Sequence, residues 1–157
     1  MRRAFAAQGL HPSALPLGVD IDRWLARAPT TWDAFPDSTG AKSDAESCAL
    51  AEALRHRAAD PKGDQRELWS RMLFNILVGN TDDHARNHAC FWDGAAVRLT
   101  PAYDIDPRPR LGREANQAMA VHGDDRRALI ATAIAGAGHF GLRTDDAVAI
   151  ATGQIQS

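Results

Sequence analysis

Residues 73–88 read LFNILVGNTDDHARNH, and this stretch decides both the fold of the chain and the chemistry that it can carry. Its first part is almost wholly apolar and continues a stripe of apolar residues at helical spacing. Gly79 predicts the end of that helix, because glycine readily adopts the left-handed conformation found at helix termini. The polar residues that follow are therefore predicted to form a loop that starts from a helix end.

Before this stretch, the sequence predicts two helices joined by a turn. The first helix runs from Asp44 to about Ala58, and residues 60–63, Asp-Pro-Lys-Gly, form the turn. Asp64 is the predicted N-cap of the second helix, with Glu67 three residues later as in a capping box. The apolar stripe of the second helix consists of Leu68, Trp69, Met72, Leu73, Ile76 and Leu77.

After the loop, the sequence predicts a β-hairpin and then two more helices. Phe91 and Trp92 lead into Asp93-Gly94, a dipeptide that favours hairpin turns, and residues 97–100 alternate apolar with polar side chains. The next helix is predicted to start at Asp124 or Asp125 and to be stopped by Gly136 and Gly138, and the last is predicted to be capped by Thr144. The expected fold is mainly α, with one small β-hairpin.

Three oxygen-bearing side chains stand out by their spacing and their place in this order. Asp82 and Asn87 have the spacing D-x-x-x-x-N, and Asp104 follows directly after the hairpin. Helix, loop with Asp and Asn, hairpin and then Asp is the order found in a protein-kinase catalytic lobe. Phosphoryl transfer needs a carboxylate near the attacking hydroxyl group and hard oxygen ligands for Mg²⁺. The spacing therefore predicts Asp82 as the base, and Asn87 and Asp104 as metal ligands, while Asp83 is a solvated or structural neighbour.

Two blocks of sequence, residues 73–88 and the stretch LTPAYDI at residues 99–105, resemble the C-terminal domain of HipA-type kinases. These are bacterial serine/threonine kinases that act as toxins in toxin–antitoxin pairs. The resemblance extends more weakly from about Asp44 to the C-terminus and implies a kinase-like C-lobe. It also implies phosphoryl transfer from Mg²⁺-ATP to a protein Ser or Thr. It assigns the base to Asp82 and the metal ligands to Asn87 and Asp104, and Arg86 stands where the family usually has Lys.

The resemblance also implies what this chain lacks. In the family, an N-terminal region supplies a phosphate-covering loop and a nucleotide-contacting lysine, but Lys42 and Lys62 do not lie on plausible strands. Residues 1–43 are expected to be a poorly ordered leader, and residues 44–157 a truncated C-lobe. The isolated chain is therefore expected to bind ATP weakly and to need a complementary N-lobe. A protein substrate and an antitoxin are the implied partners.

Composition narrows the remaining classes of function. A formal net charge of −2 argues against direct nucleic-acid binding. No apolar run is long enough to span a membrane. Cys48 and Cys90 lie far apart and show no metal-binding spacing, which favours a reducing, cytoplasmic location.

Two other functions stay open at this point. His84 and His88, spaced i and i+4 beside two acids, would suit the Zn²⁺ site of a metal-dependent hydrolase if the segment were helical. The missing lysine and glycine loop would instead fit a degenerate, non-catalytic kinase remnant that acts as a binding module.

Further patterns are given structural interpretations. Residues 136–141 match G-x-G-x-x-G, but they follow a predicted helix rather than a strand, so helix termination is the preferred interpretation. Arg108, Arg110 and Arg113 are interpreted as a solvated surface loop. The aromatic residues Trp69, Phe91 and Trp92 are expected in the core.

Overall fold

The computed structural model describes residues 30–31, 46–93, 95–110, 112 and 114–157. Apart from residues 30–31, the leader predicted at residues 1–43 lies outside them. The strands are β1 (Thr30–Thr31), β2 (Ala89–Trp92) and β3 (Val97–Leu99). The α-helices are α1 (Glu46–Arg57), α2 (Pro61–Val78), α3 (Ile130–Gly136) and α4 (Thr144–Gln156), and 3₁₀ turns form at Ala85–Asn87 and Ala137–Phe140. The mainly α fold predicted from the sequence is confirmed.

Helix α2 is the centre of the core, because its apolar stripe is buried along most of its length. Leu68, Trp69, Met72, Leu73 and Ile76 are all nearly inaccessible to solvent. Burying a large apolar side chain of this kind contributes about 1.5–3 kcal/mol. The indole Nε1 of Trp69 donates a hydrogen bond to the carbonyl oxygen of Ala133 on α3, at 3.0 Å. The stripe therefore fixes α2 as the element against which the other helices pack.

The N-terminus of α2 differs from the prediction. Asp60, not Asp64, is the N-cap, and its carboxylate accepts a hydrogen bond from the backbone N–H of Gly63 at 3.1 Å. Pro61 then occupies the first turn, where its missing N–H has no consequence for helix hydrogen bonding. Residues 61–63, predicted as part of a turn, are thus helical, and the prediction of a capping box from Asp64 to Glu67 was wrong.

The predicted hairpin is confirmed and gains a third strand. Strands β2 and β3 pair antiparallel, with Phe91 opposite Arg98 and Trp92 opposite Val97. Thr30 and Thr31 pair antiparallel with the other side of β2, so that β2 is the central strand. The carboxylate of Asp93 accepts hydrogen bonds from the backbone N–H groups of Ala95 and Ala96, which closes the turn. Trp92, expected in the core, is instead 43% exposed.

The last two helices begin at other residues than predicted, the first of them later and the second one residue earlier. Helix α3 starts at Ile130, because residues before it form short bridges, including Asn116 with Arg127 and His122 with Asp125. The carboxylate of Asp125 binds the side chain and backbone N–H of Arg127 instead of capping a helix. Thr144 is the first residue of α4 and not its cap, although acidic residues do occupy the first turn as predicted.

The glycines at residues 136–141 end a helix and do not form a phosphate loop. Helix α3 ends at Gly136, but Gly138 continues into a 3₁₀ turn. Gly141, with φ of 68°, makes the left-handed turn that stops it. The element directly before the motif is helix α3 and not a strand, so the helix-termination interpretation is confirmed.

Candidate functional site

The site begins where α2 stops. Gly79 adopts φ of 75°, and a Cβ atom there would lie 2.2 Å from the carbonyl oxygen of Arg108. Glycine is therefore required both by the backbone conformation and by the close approach of the chain that returns after the hairpin. The backbone N–H of Arg108 donates to the carbonyl of Val78 at 2.9 Å, which joins the two segments.

Asn80, the next residue, is buried and contacts three parts of the site. Its Nδ2 donates to Oδ1 of Asn75 at 3.1 Å and to the carbonyl oxygen of Asp104 at 3.3 Å. Its Oδ1 accepts from the backbone N–H of Asp82 at 3.3 Å. Sequence patterns did not identify Asn80, because its contact with Asp104 forms only when the hairpin folds back.

The predicted base, Asp82, is open to solvent. Its side chain is 69% exposed, and Oδ1 lies 2.9 Å from Nε2 of His84. The amide Nδ2 of Asn87 donates to the backbone carbonyl of Asp82 at 2.9 Å. The structure therefore brings Asp82 and Asn87 into direct contact through a short loop that includes a 3₁₀ turn.

Asp83 has the opposite environment to its neighbour. Its carboxylate is buried and lies 3.0 Å from Nε2 of His88, which is also buried. His88 directly precedes β2, so this contact closes the loop between α2 and the sheet. Asp83 is therefore a structural residue and not a solvated one.

Asp104 follows the hairpin in an unusual backbone conformation. Its φ is 58°, a left-handed value that is uncommon for residues other than glycine, and its side chain is exposed. Besides the contact between Asp104 and Asn80, the hydroxyl of Tyr103 donates to the carbonyl of Arg86 at 2.7 Å. The hairpin thus returns Asp104 to the loop that carries Asp82 and Asn87, as the sequence predicts. The chemical roles of these three residues stay predictions.

The arginine-rich segment after Asp104 is bound to the protein at one residue and exposed at another. Arg110 donates from its guanidinium to the carbonyls of Ile76, at 3.2 Å, and Ala128, at 2.5 Å. It thereby satisfies a carbonyl at the end of α2, a role that sequence patterns did not indicate. Arg108 is exposed and paired with Asp106, whose hydrogen bond raises the pKa of the guanidinium, with a smaller contribution from the charge of Asp82. Arg113 lies outside the described residues.

The geometry does not support the zinc-hydrolase alternative. His84 and His88 do not share a helical face, because the segment between them is a 3₁₀ turn that ends in extended backbone. Each histidine instead pairs with a different aspartate, and His88 is buried. No group of three His, Cys, Asp or Glu side chains suited to holding a metal ion occurs in the described part of the chain.

Comparison with protein families identifies the class to which this fold and site belong. Residues 31–157 match the family model of the HipA-like C-terminal domain. The chain therefore belongs to the HipA-like C-terminal domain family, as the sequence blocks around Asp82 and Asp104 predict. The match begins at residue 31, ahead of the predicted domain boundary at residues 43 and 44.

Two individual proteins show what the chain is similar to. A protein of Sinorhizobium fredii (strain NBRC 101917 / NGR234), named "Putative kinase Y4mE", is 35% identical over 54 residues, which cover 34% of this chain and 13% of that protein. HipA of Shewanella oneidensis MR-1, solved with HipB and operator DNA, has a similar fold with a TM-score of 0.58 at 19% identity. That match covers 73% of this chain and 27% of the HipA structure. The chain thus spans less than a third of either relative.

No helix among the described residues is both long enough and apolar enough to cross a bilayer.

Proposed function

We propose that this chain supplies the catalytic loop and metal ligands of a HipA-like protein serine/threonine kinase, which transfers a phosphoryl group from Mg²⁺-ATP to a protein hydroxyl. Asp82 is the base, and Asn87 and Asp104 are the ligands of Mg²⁺. The observation that carries the proposal is that the two sequence blocks meet at the C-terminal end of α2. The Asn80 side chain makes hydrogen bonds to the backbones of Asp82 and Asp104, and the Asn87 side chain makes one to the backbone of Asp82.

The environment of Asp82 suits a base that acts on an incoming protein. Its exposed carboxylate can reach a hydroxyl group presented from solvent, and its Oδ1 contacts Nε2 of His84. In the proposed reaction, Asp82 orients the hydroxyl and accepts its proton as the oxygen attacks the γ-phosphorus, while the bond from that phosphorus to the β,γ-bridging oxygen breaks and ADP leaves. General base catalysis of this kind typically contributes 10²–10⁴-fold, as an order-of-magnitude range.

The donor atoms also fit Mg²⁺. Asn87 uses its amide nitrogen in the bond to the Asp82 carbonyl, which leaves the amide oxygen as its cation-binding atom. Asp104 offers an exposed carboxylate, and both are the hard oxygen donors that Mg²⁺ prefers. When bound, Mg²⁺ neutralises charge on the nucleotide phosphates. Two protein ligands leave the rest of its shell to phosphates and water, which explains why nucleotide contacts from elsewhere are needed.

The location and partners are proposed from the relatives. The Shewanella HipA structure contains HipB and operator DNA. By analogy, an antitoxin is the proposed partner of the whole protein, in the cytoplasm. Because the Shewanella HipA structure includes DNA, it does not support the expectation that this protein makes no direct contact with nucleic acid.

Matched aspartate variants test this function. Phosphoryl transfer is measured from γ-labelled ATP in the presence of a complementary HipA-type N-lobe. Asp82→Asn and Asp104→Asn are each expected to lower the rate by about 10²-fold or more. Asp106→Asn is the control, because Asp106 lies in the same exposed segment but its carboxylate pairs with Arg108. Labelling by Asp82→Asn at the wild-type rate would refute the assignment.

A further inference from the structure

Asn80 connects the two halves of the proposed site through one buried side chain. Only 2% of the residue is exposed, and its amide group contacts the Asp82 backbone on one side and the Asp104 backbone on the other. Asp82 and Asp104 are far apart in sequence and belong to different segments of chain. A single side chain that binds both is in a position to fix their separation.

The orientation of the Asn80 amide follows from its partners. A backbone carbonyl can only accept a hydrogen bond, so the atom facing Asp104 must be the Nδ2 donor. A backbone N–H can only donate, so the atom facing Asp82 must be the Oδ1 acceptor. The two contacts require opposite ends of one amide, and no other orientation satisfies both.

The bond from Asn80 to Asp104 is made to a residue with an unusual backbone conformation. Its left-handed φ of 58° is uncommon for a residue with a Cβ atom, although aspartate adopts it more readily than most residues, so contacts of its backbone help to hold it there. The Asn80 amide binds the carbonyl oxygen of this same residue. The backbone conformation of Asp104 determines where its carboxylate is presented, and Asn80 is one of the groups that maintain it.

We infer that Asn80 is a positioning residue, which sets the distance between the base Asp82 and the metal ligand Asp104 without touching substrate or metal. The inference rests on the proposed function for the roles of the two aspartates. Its structural content, that one amide couples the two backbones, can be tested separately.

Three variants separate coupling from general stability. Asn80→Ala removes the contacts with Asp82 and Asp104, and also the bond to Asn75. Asn80→Asp keeps the shape and the acceptor for Asp82 but removes the donor to Asp104 and to Asn75. Gln65→Ala is the control, since Gln65 is equally buried and donates to the carbonyl of Ala51. It lies in the second turn of α2, roughly 20 Å along the helix from Gly79.

The readouts are Mn²⁺ affinity of the 157-residue chain, by electron paramagnetic resonance, and the backbone amide NMR signals of residues 82 and 104. Asn80→Ala is expected to weaken Mn²⁺ binding about 10-fold or more and to shift both signals. Asn80→Asp is expected to weaken Mn²⁺ binding and to shift the residue 104 signal more than the residue 82 signal. Gln65→Ala is expected to lower the melting temperature with Mn²⁺ affinity unchanged.

Each failure has its own meaning. If the wild-type chain binds no Mn²⁺ without nucleotide, the NMR signals alone decide the coupling, and the metal ligand is tested by the labelling rate of Asp104→Asn. If Asn80→Ala and Asn80→Asp leave both signals at their wild-type positions, or retain wild-type Mn²⁺ affinity where that affinity is measurable, Asn80 does not position the site.

Discussion

Adjacent aspartates in the loop have different environments because the backbone sends their side chains in different directions. Asp82 points to solvent, where a carboxylate can meet another molecule, while Asp83 points inward to the imidazole of His88. Spacing from Asn87 was enough to predict which of the two is the candidate base. It was not enough to predict the buried contact between Asp83 and His88, which depends on how the loop enters β2.

The contact between Asp83 and His88 is expected to stabilise the fold measurably. Removing either side chain leaves a buried polar partner without its hydrogen bond, which costs about 2–3 kcal/mol. Asp83→Ala and His88→Ala are each expected to lower the free energy of unfolding by that amount in urea titrations. The double variant is expected to cost less than the sum of the two, because only one contact is lost. Additive losses would show that the two side chains do not interact.

Asn80 marks the limit of sequence reasoning at this scale. An asparagine after a helix-terminating glycine is ordinary in sequence, and nothing near it indicates a contact with Asp104. The order of motifs predicted that the two blocks meet. Which side chain joins them emerges only when the hairpin is folded back.

At the scale of elements, the ends of α2 show both the strength and the weakness of local patterns. Its C-terminus at Gly79 was predicted, because one glycine ends an apolar stripe. Its N-terminus was not, because both Asp60 and Asp64 are good capping residues. The preference of proline for the first helical turn favours Asp60 and would have decided between them.

Gly79→Ala tests the C-terminus of α2. A methyl group there combines an unfavourable positive φ with a contact of 2.2 Å to the Arg108 carbonyl, so the free energy of unfolding is expected to fall by about 2 kcal/mol or more. Gly153→Ala is the matched control. Gly153 lies inside α4 with no atom within 4 Å of the added carbon, so the change is expected to stabilise by up to about 1 kcal/mol. Equal effects of the two variants on urea unfolding would show that residue 79 tolerates a side chain as readily as an exposed helical position does.

The stability of the fold is expected to depend on pH through Asp64, which lies at the contact between α2 and β3. Burial raises the pKa of its carboxyl above the ordinary 3.8, although the side chain accepts a hydrogen bond from Leu99 N–H. The folded state then binds the proton more tightly than the unfolded state. The stability that this proton contributes is present at pH values below 3.8 and is lost as the pH rises through the higher pKa of the folded state. Wild type is expected to gain melting temperature relative to Asp64→Asn as the pH falls from neutral to 3.8. A constant difference between the two proteins across this range would exclude the effect.

At the scale of the whole molecule, the described helices and the hairpin form the part of the fold that sequence periodicity predicted well. The third strand was not predicted, because Thr30–Thr31 is too short to give a periodic signal and is recognised by its pairing with β2. The family match begins at residue 31, next to this strand. The boundary predicted between residues 43 and 44 stays a prediction.

The chain on its own is expected to transfer little or no phosphate. It spans 27% of the HipA structure that it resembles, and the proposed metal ligands depend on nucleotide phosphates that other residues must hold. Labelling of a protein substrate is expected to rise well above background when a HipA-type N-lobe is added. Asp82→Asn in the same mixture provides the control for activity from the added lobe. Full turnover by the purified chain alone would show that the expectation is wrong.

The C-terminal end of α2 is the anchor that holds together the loop after the helix and the segment after the hairpin. The loop continues from it through Gly79 and Asn80, and Asn80 bonds to Asp104. The backbone of Arg108 and the guanidinium of Arg110 bond to carbonyls of the last turn of α2. The tip of the hairpin between β2 and β3 lies outside this anchor. Extra residues inserted at the tip would therefore lengthen the hairpin and leave the geometry of the site unchanged, so the hairpin tip is where natural or engineered insertions should be tolerated.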